Sequence, residues 1–343
     1  MTPGGGALNL RREEILAYRR GAQSLDERLP WSAASLRRAA SAGLQDSMPR
    51  AALLSIHARV TGTTHAALDD PALVQVWGPR YSAYVVAAGD HAPFTLGRLP
   101  DDERGRRRAE EMAKRVQDFL DGRVLPYREL AQGVGVGNAI RYATTTGTLN
   151  IRWEGARAPT VWSVPRPTVE PLVVRIGLAR RYLHAFGPTD ADAFSGWAGV
   201  SARGARAAFE ALAPELVAVT TPIGDRWILA ADESALRAPA GDTAPARLLP
   251  SGDTYFLLWD ADRELLVPEP AQRERLWTSR VWPGAVLVDG QIVGTWRRAK
   301  AVFDIEPWRT LTTGERQAVE AEAASLPLPG LTGDDTLVRW GAV

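Results

Sequence analysis

Residues 128–164 read RELAQGVGVGNAIRYATTTGTLNIRWEGARAPTVWSV, and this stretch decides the fold. Its pattern predicts a helix, a glycine-rich turn, a second helix with Asn138 as its N-cap, and two strands, at 128–132, 133–137, 138–143, 148–153 and 160–164. The strands flank a loop that contains Gly155 and Pro159, which indicates a β-hairpin. A helix-turn-helix followed by a hairpin is the winged-helix arrangement.

A second copy of this pattern lies in residues 189–230. It comprises a helix, a turn, a helix and two strands, in that order, at 192–197, 199–201, 203–213, 217–220 and 226–229. Two copies in one chain argue against a chance pattern. Because the second helix of such a unit commonly enters a DNA groove, the repeat indicates a DNA-binding protein.

The expected fold class is α+β, with three tandem winged-helix units followed by a C-terminal β-barrel-like domain. The predicted divisions are 8–95, 96–165, 172–240 and 245–343, with a proline-rich linker at 165–171 and a break at 238–242. In the last domain we predict strands and then one helix, at 255–259, 285–288, 291–296, 302–305 and 313–325. Between two of these strands, Asp289-Gly290 predicts a type I′ hairpin turn.

Composition fits a large globular protein. The 343 residues suffice for two to four domains, with 45% hydrophobic and 24% charged residues. Cysteine is absent, which excludes disulfides, a thiolate nucleophile and a cysteine-based metal site. The chain has neither a signal-peptide pattern nor an apolar run of about 18 residues, so we expect a cytoplasmic protein without membrane association.

Charge is a weak guide to function in this chain. The net charge is +1, whereas a dedicated phosphate binder often carries a strongly basic domain. All basic residues except Lys114 and Lys300 are arginines, which bind phosphate bidentately, although a GC-rich genome would also enrich arginine. The arginines of residues 104–115 alternate with glutamates at i,i+4 spacing, which favours a self-paired, solvated helix face.

Two other motifs do not predict a nucleotide or metal site. The glycine run 133–137 lacks a preceding strand and the GxGxxG spacing, so it does not predict a nucleotide site. The four histidines, His57, His65, His91 and His184, show no metal-ligand spacing. We therefore predict neither a metal nor another cofactor.

Several stretches together resemble the bacterial winged-helix DNA glycosylases of the AlkZ/YcaQ type, which release bulky N7-alkylated purines and unhook interstrand crosslinks. They are 43–49 (GLQDSMP), 58–60, 186–189 (FGPT) with Phe194 and Trp197, 247–250 (RLLP) with Asp253, 263–268 (RELLVP), 288–290 and 294–298 (GTWRR). The resemblance runs from about residue 30 to the C-terminus. It implies three winged helices in a C shape and a C-terminal β-barrel.

The resemblance also implies the catalytic residues. The family motif is Gln-x-Gln or Gln-x-Asp before a helix of the first unit, and its first glutamine corresponds to Gln45. Ser47 occupies the second polar position, which departs from the family, and Asp46 lies between them. A glutamine carbonyl can position water or stabilise an oxocarbenium-like sugar, whereas a serine hydroxyl holds water without negative charge. The carboxylate of Asp46 is a third candidate, although neighbouring side chains in an extended segment point to opposite faces.

A structural interpretation of the same segment stays open. Ser47 or Asp46 would N-cap the helix that begins near Pro49, since proline is tolerated in a first helical turn. Gln45 would then satisfy a buried backbone group.

The predicted DNA contacts are Arg297, Arg298 and Lys300, with Arg141 and Arg59. The first two follow a hairpin and have no acidic residue within four positions on either side, although an ordinary exposed strand end is the alternative. Three function classes stay open: a glycosylase acting in repair or genotoxin self-resistance, a non-catalytic winged-helix DNA-binding protein, and a protein-interaction scaffold. The Ser47 departure supports the second, and the net charge supports the third. The expected partner is double-stranded DNA, alkylated or crosslinked, bound by a monomer.

Overall fold

The computed structural model describes residues 8–46, 48, 50–155, 157–239, 241–330 and 333–342. The described residues form helices together with mainly antiparallel strands, which confirms the α+β class. Up to residue 94 the elements are β1 (Leu8–Asn9), α1 (Arg12–Ala22), α2 (Ala33–Ala39), β2 (Leu44–Gln45), α3 (Ala51–Arg59), β3 (Leu73–Trp77), β4 (Ala83–Ala87) and α4 (His91–Phe94). The helical apolar spacing of residues 11–20, 32–42 and 50–60 corresponds to α1, α2 and α3.

The next elements extend the same sheet. They are α5 (Glu103–Leu120), β5 (Leu125–Pro126), α6 (Tyr127–Val134), β6 (Leu149–Arg152) and β7 (Thr160–Ser163). One six-stranded sheet has the order β2-β4-β3-β6-β7-β5 and so joins the strands of the first two predicted units. Gln75 of β3 pairs with Ile151 of β6 at the junction.

The second helix of this unit differs from the prediction. Residues Gly137–Thr146 form a 3₁₀ helix, and Asn138 is not its N-cap but accepts a hydrogen bond from the Tyr127 hydroxyl, 3.0 Å away. The Thr145 and Thr146 hydroxyls donate to carbonyls three residues earlier, at 2.9 and 2.7 Å. β-Branched residues that bond locally to the backbone weaken an α-helix, which explains the tighter form.

The second copy of the helix-turn-helix and hairpin pattern, at 189–230, is confirmed. Its elements are α7 (Pro171–Phe186), α8 (Ala191–Ala198), α9 (Ala202–Leu212), β8 (Leu216–Thr221), β9 (Gly224–Leu229) and α10 (Glu233–Arg237). The N-terminal strand β1 joins this hairpin, because Leu8 pairs with Val219 in parallel. Ile15 and Tyr18 of α1 pack in the same cluster as Val219, so the beginning of the chain contacts the predicted third unit.

The C-terminal region contains a five-stranded sheet in the order of the chain. Its elements are β10 (Ala246–Leu249), α11 (Asp260–Leu266), α12 (Pro270–Leu276), β11 (Gly284–Val288), β12 (Gln291–Ala299), β13 (Val302–Pro307), α13 (Thr313–Ser325) and β14 (Leu337–Trp340). The helix predicted at 313–325 is confirmed. Asp289 and Gly290 have φ values of 47° and 74°, as a type I′ turn requires.

The strand predicted at 255–259 is wrong. Residues Thr254–Phe256 form a 3₁₀ helix, which begins where the Asp253 carboxylate accepts a hydrogen bond from the Tyr255 amide at 2.9 Å. Residues 255–258 are buried, and a short apolar run does not distinguish a strand from other buried backbone. They share one core cluster with Tyr84 and Trp197, so the C-terminal region packs directly on the winged units. Among the described residues, no helix is long and apolar enough to cross a membrane.

Candidate functional site

Gln45 is the last residue of β2, where it pairs with Tyr84 of β4. Its half-buried side chain lines a cavity of about 300 Å³, the Gln45 cavity. Gly252 also lines the cavity, and a Cβ atom on it would lie 3.4 Å from the Gln45 carboxamide carbon. The cavity is large enough to rank with the smallest ligand sites, and Gln45 is one of the residues that line it.

Asp46 points to a different cavity, of about 460 Å³, as expected for the next residue of an extended segment. Its side chain is 2% exposed. One carboxylate oxygen accepts a hydrogen bond from the Ala52 amide and the other from the Gln75 carboxamide nitrogen, both at 3.0 Å. Burial raises the pKa of Asp46 to about 6, and the Ala52 amide and Arg152 oppose that shift.

These contacts give Asp46 a structural role. The Ala52 amide belongs to the first turn of α3, so Asp46 satisfies one of the amides there that lack a helical partner, although Arg50 and not Asp46 occupies the N-cap position. Gln75 in turn accepts a hydrogen bond from the Trp153 amide at 2.6 Å, which links β2, α3 and the strands of the second unit. We therefore leave Asp46 out of the chemistry at the Gln45 cavity. Ser47 lies outside the described residues, and its role stays a prediction.

Arginine and tryptophan side chains form another wall of the Gln45 cavity. The Arg80 guanidinium lies 4.1 Å from the centre of the Trp259 ring. Arg263 lies 5.9, 5.0 and 5.3 Å from the rings of Trp259, Trp277 and Trp282. Trp259 and Trp282 line the cavity together with Arg80 and Arg280, and Arg263 packs behind these two rings. Sequence reasoning missed this wall, because the tryptophans resemble core residues and no local motif marks Arg80.

The predicted DNA contacts of the C-terminal domain lie beside this cavity. Arg297 donates a hydrogen bond to the carbonyl of Val281, a cavity residue, at 3.0 Å. Arg298 follows in β12 and Lys300 in the β12–β13 turn, and all three are exposed. Burial and the neighbouring Arg50 lower the pKa of Arg298, which places this turn near the start of α3. Strand pairing also sets Asp304 opposite Arg297, an acidic neighbour that the sequence spacing did not show.

Arg141 and Arg59 occupy different environments. Arg141 lines a third cavity, of about 320 Å³, which shares Ser82 with the Gln45 cavity. Arg59 is 1% exposed, and two of its nitrogens donate to the two oxygens of the Asp253 carboxylate at 2.8 Å. We correct the prediction for Arg59 accordingly: a buried guanidinium bound bidentately by a carboxylate has no free donor face for a DNA phosphate.

Within the described ranges, no group of three or more histidine or acidic side chains is arranged to hold a metal ion. The charged side chains that the described residues contribute to the Gln45 cavity are both arginines, Arg80 and Arg280. The cavity thus combines a neutral carboxamide, aromatic rings and positive charge.

Comparisons with known proteins identify the family and support the fold. The model of one protein family, described as DNA glycosylase AlkZ-like, matches residues 36–327. Among solved structures, the Streptomyces sahachiroi DNA glycosylase AlkZ is similar, with a TM-score of 0.77 and 19% sequence identity over 97% of this chain and 100% of that one. A comparison with curated proteins finds no significant match.

Proposed function

The chain belongs to the AlkZ-like DNA glycosylase family, and from that premise we propose that it hydrolyses the N-glycosidic bond of bulky or crosslinked N7-alkylated purines in duplex DNA. Water adds to C1′ of the sugar while the C1′–N9 bond breaks. The electron pair of that bond stays on N9 and neutralises the cationic base, and the proton of the water passes to solvent. The products are the free base and an abasic site.

The observation that carries the proposal is the Gln45 carboxamide at the wall of a cavity to which no described residue contributes a carboxylate. A carboxamide oxygen can accept a hydrogen bond from the attacking water and face the positive charge that develops on the sugar. It stabilises that charge less than a carboxylate would. A weak catalyst suffices for N7-alkylated purines, because their leaving group already carries a positive charge.

We propose that the exposed end of β12, with Arg297 and Arg298, and Lys300 in the turn after it contact the DNA backbone, and that Arg141 contacts it beside the neighbouring cavity. Phosphate contacts position a protein on the duplex without reading its sequence. We also propose that the enzyme acts as a monomer in the cytoplasm.

Replacing both Arg297 and Arg298 with Ala should weaken binding to all duplex sequences alike. The slope of log affinity against log salt should become less steep by about 2, since each lost phosphate contact removes about one released counterion. Fluorescence anisotropy at several salt concentrations measures this slope. Arg309→Ala is the control, because Arg309 is exposed and paired with Glu315. An unchanged slope in the double variant would remove these two residues from the DNA surface.

Incubation of the purified protein with a duplex that contains N7-methylguanine, followed by detection of the free base, tests the proposed reaction. We expect release of the base and accumulation of abasic sites. A crosslinked duplex in a parallel reaction tests the bulkier substrates. Tight duplex binding without base release from any alkylated substrate would favour a non-catalytic DNA-binding protein instead.

A further inference from the structure

Arg80 occupies an unusual backbone position beside the Gln45 cavity. It and Tyr81 have φ values of 53° and 60°, so two consecutive residues other than glycine adopt the left-handed conformation. Such strain persists only where the surroundings hold it, and it is concentrated at functional sites. Here the Tyr81 ring packs against Tyr142 at 5.2 Å, and a Cβ atom on Gly199 would lie 3.3 Å from the Arg80 amide nitrogen. The fold thus holds Arg80 in a defined place at the wall of the cavity.

The Arg80 guanidinium carries a charge that no described carboxylate balances. It stacks on Trp259, donates a hydrogen bond to the Trp197 carbonyl at 3.2 Å and interacts with the buried Tyr84 hydroxyl. Within the part of the chain that the structure describes, no aspartate or glutamate lies within ion-pair distance of it. Burial lowers the pKa of Arg80, and the groups that oppose this shift are tyrosines rather than carboxylates. A partly buried cation without a carboxylate partner favours an anionic ligand.

Two other arginines show what a purely structural arginine looks like in this fold. Arg98 is 3% exposed and donates to the carbonyls of Ala198, Trp77 and Phe94. Arg59 is 1% exposed and is paired with Asp253. Arg80 has one carbonyl acceptor, is less buried, and lines the cavity that contains Gln45. Apart from the contacts with this carbonyl and with the Tyr84 hydroxyl, its donors can serve a ligand in that cavity.

We infer that Arg80 binds a phosphodiester next to the substrate nucleotide and thereby holds the sugar beside Gln45. Stacking on Trp259 fixes the plane of the guanidinium and leaves its edge for two parallel hydrogen bonds to phosphate oxygens. Arg280 adds positive charge to the same wall. This inference rests on the proposed function, and it makes Arg80 a positioning residue, since it acts on the sugar through the phosphate.

The test uses duplexes with one N7-methylguanine and a neutral methylphosphonate at each flanking phosphate in turn. For the wild type, one position should weaken binding by about 10-fold or more, the scale of a charged hydrogen bond. Arg80→Gln should weaken binding to unmodified DNA similarly, lose sensitivity to that methylphosphonate, and have a salt slope less steep by about 1. Single-turnover base release at saturating protein should also be slower, because the sugar is held less well. Arg237→Gln is the control, since Arg237 is exposed and paired with Glu233.

Three outcomes would overturn the inference. The wild type could bind equally well with a methylphosphonate at every flanking position. Arg80→Gln could keep the wild-type salt slope, or it could remain sensitive to the methylphosphonate that weakens binding of the wild type. If Arg80→Gln does not fold, Arg80→Lys replaces it in the test. Lysine keeps the charge but not the planar fork of donors, so Arg80→Lys should bind DNA more weakly than the wild type. Wild-type base release tests the proposed function separately. Without base release, the binding measurements still decide the role of Arg80, and a wild type that does not bind duplex would overturn both.

Discussion

Gln45→Ala is expected to reduce base release from an N7-methylguanine duplex by about 10²-fold or more, the effect of losing a positioned catalytic group. The substitution removes the carboxamide that orients water or faces the sugar cation, and it leaves every arginine of the proposed DNA surface in place. Duplex affinity should therefore change little. Single-turnover kinetics at saturating protein separate the chemical step from binding.

Gln317→Ala is the matched control, because Gln317 is exposed on α13 and does not line the Gln45 cavity. Equal rates of base release for the wild type and Gln45→Ala would remove Gln45 from the mechanism. Ser47→Ala should cost less, since a neutral hydroxyl offers little charge stabilisation. Ser47→Gln or Ser47→Asp, which restore the family pattern, should raise the rate where space allows.

Asp253→Ala is expected to lower the free energy of unfolding by about 3–5 kcal/mol, the cost of leaving a buried charge without its partner. The Asp253 carboxylate accepts hydrogen bonds from two Arg59 nitrogens, from the Ser55 hydroxyl at 2.6 Å and from the Tyr255 amide at 2.9 Å. It thus connects α3 to the C-terminal region. Urea unfolding followed by circular dichroism measures the loss.

Glu233→Ala is the matched control for this prediction. It removes an exposed i,i+4 pair with Arg237, which should cost less than about 1 kcal/mol. Arg59→Ala should lower stability on the same scale as Asp253→Ala, and the protein that stays folded should keep the wild-type salt slope for DNA binding. A reduced slope without a loss of stability would restore Arg59 as a DNA contact.

Local sequence patterns predicted much of the fold correctly. The repeated helix-turn-helix and hairpin pattern, the helix at 313–325 and the Asp289-Gly290 turn depend on periodicity, caps and turn residues within a few positions. The errors also have local causes. Threonine hydroxyls that bond to nearby carbonyls favoured a 3₁₀ helix after Gly137. The apolar run after Asp253 forms a 3₁₀ helix and not a strand, because the Asp253 carboxylate caps it.

The sequence by itself determined the order of the elements and, through its resemblance to the family, the segment that contains Gln45. The tertiary structure decided which charged residues are available to DNA. Arg59 pairs with an aspartate 194 positions away, and Arg80 meets Trp259 and the Trp197 carbonyl, which belong to other parts of the chain. Backbone conformation follows mainly from neighbouring residues, whereas burial and charge pairing depend on contacts that only the packed chain creates.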